Sequence, residues 1–217
     1  GLDSILHAAG VLRDGLLAHK TVQDLREVLA SKVSGLIHLD EASRDLALQS
    51  FVCFSSVAAV TGNLGQADYA AANGFMDAWA AQRQDQVERG QRQGRTLSVN
   101  WPLWRDGGMR VDEAIERAMQ RASGLVALPT AAGLEALAQA LAAGRPQALV
   151  MHGDAVRLRR VIASAPAPAL AAGQAAAAAV LGAASPQAAA GTDFEPLKRR
   201  LVAIVAEQCK VPPEAIS

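Results

Sequence analysis

Between residues 5 and 151, short apolar runs take turns with longer stretches of helical period. Ile5 and Leu6 make a brief run that ends in H-A-A-G at 7–10 and reads as a strand. Leu25, Val28, Leu29 and Leu36 then recur at the spacing of one helical face, and Thr21 with Asp24 three residues on marks where that helix starts. The run F-V-C-F at 51–54 is again short and rich in strand formers. It passes through Ser55, Ser56 and a Gly-containing loop into an Ala-rich helical segment that reaches Trp79, with Phe75 and Trp79 as core. Residues 96–100 alternate as a strand does, and residues 111–123 make a charged amphipathic helix. Residues 131–143 carry Leu134, Leu137, Ala138 and Leu141 on one stripe before Gly144 ends the helix, and residues 146–151 supply a last strand. Strands and helices in this alternation predict an α/β fold with a mostly parallel sheet.

The pattern stops near residue 163. From 163 to 193 the chain is almost wholly Ala, Pro, Gly, Ser and Gln, which reads as an interdomain linker, disordered or partly helical at most. Phe194, Leu197, Leu201, Ile204 and Val205 then restore a helical stripe ahead of V-P-P-E at 211–214. A helix of that length is unstable without partners. Three units follow: 1–162, the linker at 163–193, and 194–217. Charge is balanced, 21 basic against 21 acidic residues, which leaves no electrostatic case for nucleic acid or an anionic membrane surface. Cys53 lies in an apolar strand and Cys209 far from it, so neither a disulfide framework nor a metal site is expected, and a reducing cytoplasm fits. No apolar run has the length of a membrane span, and the first residues lack a leader pattern. Opening on what reads as a buried strand is what a cut through a larger polypeptide gives.

Candidate chemistry gathers between residues 51 and 79. Tyr69 and Asn73 stand four apart and share one helix face, across from a serine at a strand end. Serine, phenol and amide so placed suit proton transfer, provided neighbours tune a phenol whose ordinary pKa is about 10. The thirteen-residue spacing from Ser56 to Tyr69 selects Ser56 over Ser55, whose hydroxyl is expected to bond nearby backbone. Other residues admit plain readings. Lys32 falls on or beside its helix's apolar stripe, where a lysine usually snorkels to water. His7 braces a strand end by hydrogen bonding, Asp14 before Gly15 is a turn residue, and Asp77 caps or pairs near its helix.

The spacing of Ser56, Tyr69 and Asn73 resembles the serine–tyrosine pair of short-chain dehydrogenase/reductases, with asparagine where their Y-x-x-x-K pattern has lysine. With Lys32 thirty-seven residues upstream of Tyr69, and Y-A-A-A-N-x-x-x-D from 69 to 77, the chain resembles the ketoreductase domain of modular polyketide synthases. N-W-P-L-W-x-x-G-G-M at 100–109 is similar to the loop after that family's sixth strand, and H-x-A-G to the end of its fourth. The resemblance implies the C-terminal part of a Rossmann-like short-chain dehydrogenase fold, entered near the fourth strand. The G-x-G-x-x-G turn that cradles a dinucleotide pyrophosphate has no counterpart in the chain, so weak NADPH binding by the chain alone is expected.

In function, the resemblance implies NADPH-dependent reduction of a β-ketoacyl thioester held on a carrier domain, among the other domains of a synthase. Tyr69 would protonate the ketone oxygen and Ser56 hydrogen-bond it. Lys32 would tune Tyr69, lowering its pKa, and touch the cofactor ribose; Asn73 would support Lys32 and a relay water. His7 would lie beside the cofactor. Asp14, fifty-five residues before Tyr69, takes the place of the aspartate of B-type enzymes, and Thr61 stands where the opposite type has tryptophan, which implies a D-configured hydroxyl. Residues 111–123 would cover the substrate as a lid. Residues 194–217 resemble the first helix and loop of an acyl carrier domain, whose phosphopantetheine serine would lie past Ser217. Two further functions fit less well. A silent ketoreductase-like structural module is opposed by the intact Ser56, Tyr69, Lys32 and Asn73, and a free-standing reductase of small carbonyl compounds by the trailing linker.

Overall fold

The structure, a computed structural model, describes residues 1–109 and 111–163. The linker past Ala163 and the carrier-like segment at 194–217 lie outside the described residues. Four strands, β1 (Ser4–His7), β2 (Ser50–Ser56), β3 (Arg95–Trp101) and β4 (Gln147–Leu149), pair in parallel in the order β1-β2-β3-β4. Parallel neighbours need a crossover, and each one here carries helices. The first holds α1 (Val22–Leu29) and α2 (Gly35–Ala42), joined without a break by a π-turn at Ala30–Ser34. Thr21 and Asp24 form a reciprocal capping box at its start. The second holds α3 (Ala58–Thr61) and α4 (Ala67–Glu88); the third holds α5 (Glu113–Ser123) and α6 (Thr130–Ala143). The expected α/β architecture with a parallel sheet is the one observed.

Register splits β2 and β3 into two faces. Val52, Leu97, Val99 and Trp101 pack under α6 with Leu128 and Ala140. Phe51 and Cys53 face the other way, onto Leu36 and Met76 of α2 and α4. Alternation of polar and apolar residues at 96–100 ordinarily means one wet face, yet Thr96, Ser98 and Asn100 are all buried. Helix α4 satisfies them. Arg83 Nη1 donates to Thr96 Oγ1 at 2.7 Å, while Asp77 accepts from Ser98 Oγ at 2.6 Å and from Asn100 Nδ2 at 2.7 Å. Asp77 is thus a structural residue that bridges helix to sheet. Arg83 is held by Asp40 at 2.8 Å and by the carbonyls of Gln93 and Gly94, and its guanidinium stacks 5.0 Å from Phe51.

Helix α4 runs past Trp79 through the charged residues up to Glu88, because Arg83 is turned inward and the remaining charges outward. A last helix, α7 (Ala155–Ala163), was not legible from periodicity. It starts at Asp154, whose Oδ1 accepts from the backbone N–H of Val156 and Arg157. Among the described residues no helix is long and apolar enough to cross a membrane.

Candidate active site

In an open parallel sheet, ligand sites form beyond the carboxyl ends of the strands. Here β1 ends at His7 and β2 at Ser56, and the first turns of α4 lie beside them. Tyr69 and Asn73 fall on the inner face of α4, as their spacing predicts; Asn73 is wholly buried. Its Nδ2 donates to the Tyr69 carbonyl at 2.7 Å, and its Oδ1 has no hydrogen-bond partner among the described residues. Ser55 is the bracing serine. Its Oγ donates to the Asn73 carbonyl at 3.2 Å and accepts from Asn100 Nδ2 at 3.1 Å. Ser56 lies on the opposite, less buried side and accepts the Ala58 N–H at 3.2 Å.

Lys32 does not snorkel. It sits inside the π-turn, where the Gly35 N–H reaches back five residues to the Ala30 carbonyl, and the extra residue in that turn carries the side chain inward. The residue is 2% exposed, its Nζ donates to the Phe54 carbonyl at 3.1 Å, and it lies 5.3 Å from the Tyr69 ring centroid. Burial lowers its pKa to about 8. Gly10 leaves room for it, since a Cβ there would stand 3.0 Å from Lys32 Cε.

The phenol departs from expectation. Burial raises the Tyr69 pKa, and the side chains of Ser56 and Asn73 only partly oppose the rise. Lys32, 5.3 Å from the ring centroid and bonded to the Phe54 carbonyl, does not bring the phenol below its ordinary value. Tyr69 Oη itself faces Met109 Sδ at 3.8 Å.

His7 is buried against the π-turn. Burial, and then the Lys32 charge, lower its pKa, while hydrogen bonds to the backbone of Ser31 and Lys32 work the other way. That geometry is the bracing one; Nε2 is left without a partner. Asp14 is exposed and accepts from Gln66 Nε2, just before α4, at 3.1 Å. Helix α5 leans over the loop after β3, where Met119 and Glu116 share a small apolar depression with Val57, Pro102 and Leu103.

Sequence reasoning brought together Ser56, Tyr69, Asn73 and Lys32, and in the structure the other three lie about Tyr69. It missed Lys20 and Asp68, a buried ion pair of 2.7 Å next to Tyr69. Two charges forty-eight residues apart carry no signal in a single sequence.

A parallel α/β sheet with a tyrosine, a serine and a buried lysine at its strand ends defines a protein of the short-chain dehydrogenase/reductase class. Residues 1–106 match the family model described as "KR domain". Polyketide synthase PksN of Bacillus subtilis (strain 168) is 48% identical over 159 residues, which are 73% of this chain and 3% of that protein. Among solved structures, a ketoreductase domain from the bacillaene assembly line superposes with a TM-score of 0.72 at 46% identity, over 73% of this chain and 38% of that one. An N-terminal ketoreductase from the macrolactin assembly line gives 0.64 at 41% identity, over 74% and 30%. The chain belongs to the ketoreductase domains of polyketide synthases. It spans a few per cent of the length of the curated synthases it matches, 3% in the case of PksN.

Proposed function

We propose that this chain forms the catalytic part of an NADPH-dependent reductase that converts a carrier-bound β-ketoacyl thioester to the β-hydroxyacyl thioester. The observation that carries this reading is the meeting of Tyr69, Ser56 and a buried Lys32 at the strand ends. NADPH, held in part by Lys32, would supply the hydride for the ketone carbon. The chain's residues deal with the oxygen. Tyr69 Oη gives its proton to that oxygen as the carbonyl becomes a hydroxyl, and Ser56 Oγ–H donates a hydrogen bond to it, favouring charge where it develops. Lys32 fits a ribose, since its ammonium lies 5.3 Å from the Tyr69 ring and the Phe54 carbonyl takes one of its three donors. Asn73, with a free buried Oδ1, is suited to hold a relay water beside Lys32. Asp14 borders the side from which the thioester enters, and its presence supports a B-type, D-configured product. Helix α5 closes the opposite side as a lid.

The test joins this chain to a nucleotide-binding half and follows NADPH absorbance with a β-ketoacyl thioester. Tyr69→Phe is expected to lower turnover about a hundredfold or more, and chiral analysis of the product to return the D configuration. Cofactor binding without turnover on several thioesters would transfer the chain to the silent structural module.

A further inference from the structure

The loop that carries Asp14 is fastened to the catalytic helix by an ion pair that no solvent reaches. Lys20 Nζ lies 2.7 Å from Asp68 Oδ2, and the two side chains are 2% and 1% exposed. The same ammonium donates to the Arg13 carbonyl, the residue before Asp14. On the other side of the pair, Asp68 Oδ1 accepts the Tyr69 N–H at 2.9 Å. A continuous chain of bonds therefore runs from the backbone at Arg13 through Lys20 and Asp68 to the backbone at Tyr69. Two weaker ties run parallel to it, the Gly15 N–H to the Gly65 carbonyl at 2.9 Å and Gln66 to Asp14.

Burying both charges costs more in lost hydration than their attraction commonly returns, so such a pair is a poor way to gain stability and a good way to fix geometry. Its position says which geometry. The loop is anchored to α1 by Leu12, which packs on the core, and by Arg13, which pairs with Glu27 at 2.6 Å, while Leu16 is exposed. Toward α4, the clamp is the buried member of the three ties that set the distance from Asp14 to the phenol. Asp14 is near enough for its charge to act on Tyr69.

We infer that Lys20 and Asp68 are positioning residues, which hold the Asp14 loop at a set distance from Tyr69 and so fix the way the ketone lies when it is reduced. The inference rests on the reductase reading above. Its test uses the chain joined to a nucleotide-binding half. Lys20→Met with Asp68→Asn removes both charges at nearly constant shape and keeps an acceptor for the Tyr69 N–H, so no unpaired charge is left to unfold the protein. The expected result is native thermal stability, a fall in kcat/KM of up to about a hundredfold borne mostly by KM, and a mixture of hydroxyl configurations in place of one. Lys20→Arg alone is expected to retain a single configuration. An unchanged KM and configuration ratio in the double variant would overturn the inference. A second measurement is independent of turnover. Amide exchange at Gly15 should quicken in the double variant, and unaltered Gly15 protection would equally overturn the clamp. Absence of turnover in the native protein would count against the reductase reading, with the Gly15 exchange still deciding the clamp.

Discussion

Lys32 holds a charge where water is excluded, and its cost can be read from pH. Folding lowers its pKa from 10.5 to about 8 through burial. Below pH 8 the lysine is charged in both states, and the folded protein bears the whole penalty, about 3 kcal/mol. Between about pH 8 and 10.5 the unfolded chain keeps a proton that the folded one has released, so this residue's contribution makes stability rise with pH through that window. Lys32→Met is expected to remove the rise and, without cofactor, to stabilise the fold at pH 7. Chemical denaturation of both proteins from pH 7 to 10.5 measures it. A variant no more stable than native at pH 7 would mean that the ammonium is well solvated. Tyr69 gives the complementary lesson at this scale. A phenol raised by burial stays protonated at neutral pH, as the proposed role of proton donor requires.

At the scale of elements, close approach decides more than propensity. Helix α6 crosses the loop after β3 at Gly133, where a Cβ would lie 2.3 Å from the Trp104 ring. Trp104 in turn stands edge-on to Trp101, with centroids 4.9 Å apart. Gly133→Ala, which improves helix propensity by nearly 1 kcal/mol, is nevertheless expected to destabilise by about 1–3 kcal/mol through overpacking. A lowered Tm together with an altered tryptophan emission would report it; a raised Tm would show that the indole can move aside. The π-turn belongs to this scale as well. Periodicity put Lys32 on or beside the apolar stripe, and the single extra residue of the turn settled the matter by taking it inside.

Across the whole molecule, protection should follow burial on both faces of the sheet. β2 and β3 are covered by α4 on one side and α6 on the other, whereas β4 has three residues and is mostly exposed. Native-state amide exchange is expected to be slowest at Val52, Cys53, Leu97 and Val99 and fast in β4 and α7. Equal protection in β4 would mean that the sheet opens as one unit.

Order and type of the elements were legible because each apolar run and stripe is a local property, written in consecutive residues. So was the set Ser56, Tyr69, Asn73 and Lys32, whose spacings are regular enough to mark a family. The sequence by itself determined these: an α/β chain, a parallel sheet, and the grouping of a serine, a tyrosine and an amide near one strand end. Only the tertiary structure decided what depends on two distant segments meeting. The polar face of β3 is buried because Asp77 and Arg83 come to it from α4. Lys20 is fastened to Asp68 because the loop after β1 folds over the start of α4. The pKa of Tyr69 rises because packing excludes water more than hydrogen bonds from Ser56 and Asn73 offset. Burial and electrostatics are sums over neighbours in space, and the fold alone sets who those neighbours are.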